Sequence, residues 1–146
     1  MYIEIRGEPI THAMEAYSSG YAIEAIQTLH GHVESIVQSF IFLSGNKYDV
    51  SEVDELVFAQ NTSQEISLIQ GIKVLLVQKL ITKEEFEKLQ EFNAIRNKII
   101  HQMFMDKFLK VKKPVLRSDF ENALEIGIDV SNSLIKRAVE SKISIG

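Results

Sequence analysis

The chain has 146 residues, 45% of them hydrophobic and 25% charged, with a formal net charge of −4. That length suits a single domain over 1–146 with a real core, and the composition sets aside disordered, collagen-like and membrane classes. An acidic balance argues against uniform coating of nucleic acid, while a local basic patch can still hold phosphate.

Cysteine is absent, which removes disulfides, thiolate nucleophiles and cysteine–zinc sites together. No apolar run approaches a bilayer span and no basic leader opens the chain, so a cytoplasmic location with no membrane contact is expected. With 2 prolines and 7 glycines, the sequence favours long helices over many short strands.

From Thr11 onward, Ile26, Leu29, Val33, Ile36, Val37, Phe40 and Leu43 recur at three- and four-residue steps until Ser44-Gly45-Asn46, with a break expected near Gly20. A short helix is predicted from an N-cap at Ser51 to about Asn61. Thr62 with Glu65 has the spacing of a capping box before the next stripe of Ile66, Ile69, Ile72, Leu76 and Leu80. Thr82 with Glu85 repeats it ahead of Phe86, Leu89, Phe92, Ile99, Ile100, Met103 and Phe104, and Pro114 marks a break. Ser118 with Glu121 then opens a last helix whose stripe is Phe120, Leu124, Val130, Leu134 and Ala138. Short connections imply an all-α, up-and-down bundle of four to five helices. "YIEIR" at the start and "VKKPVLR" after the fourth helix look extended and can pair as a short β-ribbon.

The fourth helix contains an anomaly. At about 100° per residue, Leu89, Asn93, Arg96, Ile100 and Met103 share one sector, which puts Arg96 near the middle of an apolar stripe. A buried, unpartnered guanidinium costs several kcal/mol. Arg96 must therefore meet a carboxylate, emerge into a cleft or face a second subunit. Asn97 and His101, four apart, stand together on one flank.

The segment Arg96-Asn97-Lys98-Ile99-Ile100-His101 resembles the Arg-x-x-x-x-His motif of HEPN domains, whose arginine is commonly followed by a polar residue such as asparagine. The preceding "LQEFNAI" is similar to the leucine- and aromatic-containing run that leads into that motif. The resemblance implies a helical bundle of about this length, dimeric, with the motif helices meeting across the two-fold axis. It implies a metal-independent endoribonuclease without cofactor, acting on RNA, with Arg96, Asn97 and His101 as catalytic residues. A role as the toxin of a toxin–antitoxin or phage-defence system follows, with an antitoxin protein as a candidate partner. One departure stands out: where HEPN toxins controlled by a nucleotidyltransferase often carry a tyrosine two residues after the histidine, this chain has Met103, which reads as core.

The chemistry requires these residue types. Cleavage without a metal needs a base to take the 2′-hydroxyl proton and a fixed cation for the phosphorane charge. Histidine and arginine supply the two. Five apart on a helix they point roughly 140° away from each other, so a composite site calls for a homodimer through this helix. Lys107, Lys110, Lys112, Lys113 and Arg117 form a basic cluster that can hold an RNA backbone, or simply be solvated. His30 and His32, at i and i+2, face opposite sides of a helix and do not chelate one metal ion; a solvated or partly packed pair is expected. The second reading is a non-catalytic dimeric adaptor, regulator or nucleic-acid-binding module in which the Arg-Asn pair only ties the bundle together.

Overall fold

The first helix is set by its cap. In a computed structural model describing residues 7–45, 53–109 and 116–144, with side chains over 7–44, 57–102 and 116–140, α1 spans Pro9–Ser18. Proline at its first position has no N–H to satisfy, and the Glu8 carboxylate accepts from the N–H groups of Ile10 (3.2 Å) and Thr11 (2.8 Å). The helix therefore starts two residues ahead of Thr11. Gly20, at φ +87°, ends it: Gly20 N–H donates to Tyr17 C=O and Tyr21 N–H to Ala16 C=O, the paired bonds of a Schellman turn. The break expected near Gly20 is thus a full helix boundary.

The 24-residue α2, Ala22–Gly45, follows, then α3, Val53–Ser63, α4, Leu68–Val77, α5, Lys83–Leu109, and α6, Arg117–Ser144. The all-α class holds among the described residues, with six helices rather than four to five. No strand occurs among them; the segments assigned to a ribbon, Ser51 and Pro114 lie outside the described residues, except that Leu116 precedes α6 and Arg117 opens it.

Two capping expectations are corrected. The box before α4 is Ser67 with Gln70, each side chain bonded to the other's backbone N–H, whereas Thr62 Oγ1 donates back to Phe58 C=O at 2.9 Å inside α3. Ser118 lies within α6, since Phe120 N–H already donates to Leu116 C=O, and Glu121 is engaged by Arg117 and Tyr17. The third box is as expected: Thr82 N–H meets Glu85 Oε1 at 2.9 Å, and Glu85 N–H meets Thr82 Oγ1 at 3.1 Å.

α2 is the centre of the bundle and packs against every other helix. Its buried residues Ala25, Ile26, Leu29, Val33, Val37 and Phe40 meet Leu68, Ile72 and Leu75 of α4, Leu89, Phe92 and Ile99 of α5, and Phe120, Leu124, Val130 and Leu134 of α6 in one core. Two glycines allow the closest approaches. A methyl at Gly71 would stand 2.6 Å from Val37 Cγ1, and one at Gly127 would stand 2.7 Å from Leu29 Cδ2 and 2.8 Å from Phe92 Cε2. Gly127 thereby lets α6 close over the seam between α2 and α5. No helix among the described residues is long and apolar enough to cross a membrane.

Candidate functional site

The α2–α5 seam carries a row of polar side chains on an otherwise apolar contact. His30 lies in the buried stripe of α2, four residues after Ile26; its ring stacks near Phe92, with centroids 6.1 Å apart, and its Nε2 lies 3.2 Å from Asn93 Oδ1. Burial, and after it the Arg96 guanidinium, hold His30 below the usual histidine value against the opposing pull of Asn93 and Glu34. His30 is therefore neutral, donates from Nε2 to Asn93, and does not add charge beside Arg96.

One turn along α5, the half-buried Arg96 reaches the solvent edge of the same seam. Its Nε (3.1 Å) and Nη2 (2.8 Å) both donate to Gln27 Oε1 of α2, and its Nη1 donates to Asn97 Oδ1 at 2.9 Å. Among the described residues no carboxylate forms an ion pair with it. Of the three outcomes open to a guanidinium in a stripe, Arg96 thus takes emergence at a seam, held by neutral amides. The stripe itself is wider than its central row, since Phe92 and Ile99 are also buried.

Asn97 accepts this bond from Arg96. His101 stands exposed on α5, five residues on. Arg117 is committed elsewhere: its Nε lies 2.9 Å from Glu121 Oε1 and 3.2 Å from the Tyr17 hydroxyl, an exposed cluster stacked on Phe120. Lys107 falls in the last turn of α5, where side chains are outside the described set, as Met103 also is; Lys110, Lys112 and Lys113 lie outside the described residues altogether.

The two histidines of α2 part company as their spacing requires. His32 faces α1, half-buried, with a shielded Nε2 that has no hydrogen-bond partner among the described residues. Burial lowers its pKa, opposed by the Glu8 carboxylate. It borders a cavity of about 360 Å³ lined also by Glu8, His12, Thr28 and Ser35. No group of three His, Asp or Glu side chains able to hold a metal ion occurs among the described residues.

No family model, curated protein or solved structure matches the chain. Gln27 is not singled out by sequence reasoning, and His30 and Asn93, which it places on their helices, are given no part in the site there. The signal for His30 was available, since it continues the Ile26 row at i+4, and Asn93 lies one turn from Arg96. Gln27 is exposed on α2 and nothing local marks it.

Proposed function

We propose that the protein is a HEPN-like, metal-independent endoribonuclease that works as a cytoplasmic homodimer through α5, consistent with a toxin role. The observation that carries this reading is the state of Arg96: a guanidinium at the edge of a helix seam, fixed by amide oxygens and neutralised by no described carboxylate. At a solvent edge a guanidinium stays hydrated and needs no carboxylate for stability. One held by amides keeps its charge for a ligand. In the reaction, His101 takes the 2′-hydroxyl proton, the 2′ oxygen attacks phosphorus, and Arg96 balances the charge of the phosphorane. The 5′ oxygen leaves and takes a proton from solvent, giving a 2′,3′-cyclic phosphate and a 5′-hydroxyl. Two copies are needed because Arg96 and His101 diverge around one helix.

Arg96→Ala and His101→Ala should each lower cleavage of a labelled single-stranded RNA by about a hundredfold or more, with helical content and dimer mass unchanged. Cleavage should persist in chelator. A purified dimer that cuts no RNA, or a monomeric mass by light scattering at micromolar concentration, would refute the reading.

The bond from Arg96 to Gln27 also favours a second reading, since it ties α5 to α2 and would serve a non-catalytic adaptor equally well. On that reading Arg96→Ala weakens the bundle and His101→Ala does nothing.

A further inference from the structure

A guanidinium has five N–H donors and no acceptor. In Arg96 three are used, two by Gln27 Oε1 and one by Asn97 Oδ1, which leaves one on each Nη nitrogen. Because Arg96 can only donate, both amides must turn their oxygens toward it, and their NH2 groups point away. The two amides thus add no negative charge beside the two remaining N–H groups. The neighbouring acceptor, Asn93 Oδ1, is already engaged by His30. Gln27 is itself exposed and comes from a different helix, so it fixes the Nε edge of the fork without covering the remaining donors. Glutamate, its isostere, would hold the same edge with a negative charge.

We infer that Gln27 is a positioning residue: a neutral clamp that aims Arg96 at a phosphodiester oxygen of single-stranded RNA while leaving its charge uncompensated. This rests on the ribonuclease reading for the choice of ligand, and it adds the α2 half of the site. The amide is required for its neutrality as much as for its reach.

The test uses a fluorescent 2′-O-methyl single-stranded RNA, which has no free 2′-hydroxyl and cannot be cut, titrated with the full-length protein by anisotropy over a range of salt. Arg96→Ala and Gln27→Glu should each weaken binding about tenfold or more, the worth of a charge-assisted hydrogen bond. Each should also reduce the steepness of log K against log salt by about 0.7, the share of one phosphate on a single strand. Gln27→Glu should melt at or above the wild-type temperature, because a carboxylate holds the seam at least as well. Gln27→Met, which keeps the charge of Arg96 and loses only the clamp, should weaken binding several-fold with the salt dependence intact. Wild-type affinity in Gln27→Glu beside a loss in Arg96→Ala would overturn the inference. So would a loss in Gln27→Glu accompanied by a lower melting temperature, or a wild-type protein that does not bind the probe. Binding that follows this pattern without cleavage of ordinary RNA would remove the nuclease reading and leave the clamp standing.

Discussion

Arg96 and Arg137 both reach across a helix–helix seam, and they end in opposite surroundings. Arg137 of α6 meets Glu85 of α5 in an ion pair, donates to Leu80 C=O at 3.1 Å, and shares the carboxylate with Ser133. Glu85 also caps α5, so one carboxylate fixes a helix start, a loop carbonyl's neighbour and a second helix. Burial pushes its pKa up, but the hydrogen bond from Thr82 N–H and the charge of Arg137 outweigh it and hold it below the ordinary value. Every group there is answered by another within the chain. Around Arg96 no carboxylate among the described residues answers the positive charge, although the hydrogen-bond geometry is just as definite. The lesson is that satisfied hydrogen bonds and satisfied charge are separate properties, and the second is the better guide to where a ligand belongs.

Arg137→Met should lower unfolding free energy by about 2–3 kcal/mol in urea titration, since Glu85 is only 12% exposed and would be left without its counter-charge. A loss no larger than that of the matching Arg96→Met would mean that the two arginines are held alike. Gly127→Ala comes next. Its methyl would press on Leu29 and Phe92, and overpacking offset by better helix propensity should give a net loss of about 1–2 kcal/mol in the same titration.

Acidity separates the regions further. His30 and Glu85 both have lowered folded pKa values, so in each case the unfolded chain binds protons first as the pH falls. The stability held by neutral His30 is fully present above its unfolded value near 6.5 and is lost as the pH drops through the folded value below it. Glu85 behaves likewise from about 4.5 downward. Thermal melts should therefore fall off in two stages. His30→Gln should flatten the upper stage, to which half-buried His32 also contributes, by no more than about 1.4 kcal/mol per pH unit, the share of one group. The smallest effect is at the site itself: Arg96→Met should cost about 1 kcal/mol, because its bonds lie at a solvent edge where water replaces them and no carboxylate among the described residues is stranded.

Much of this architecture can be read from local pattern. Thr82–Glu85 works as a cap, each side chain bonded to the other's backbone N–H ahead of the buried Leu89 and Phe92. Thr62–Glu65 and Ser118–Glu121 have the same spacing and do not. Before α4, the buried face begins at Leu68, so the cap belongs to Ser67, whose partner at the third position is glutamine. Leu68 N–H is taken in addition by Glu34 of α2, a contact that no window of neighbouring residues can contain. The candidate site divides in the same way. Helical periodicity places Arg96 in the stripe and Asn97 with His101 on its flank, but the choice of Gln27 over a carboxylate is made by the packing of α2 on α5, 69 positions away in the chain.

The central place of α2 has a consequence for how the molecule opens. Since each of the other five helices packs on it, any one of them can detach while α2 stays covered by the rest. Amide exchange at Leu29, Val33 and Val37 should then proceed only through complete unfolding, whereas each surrounding helix exchanges through its own smaller opening. A probe placed on α2 reports the stability of the whole chain, and one placed on α3 or α1 reports only how that helix lifts away.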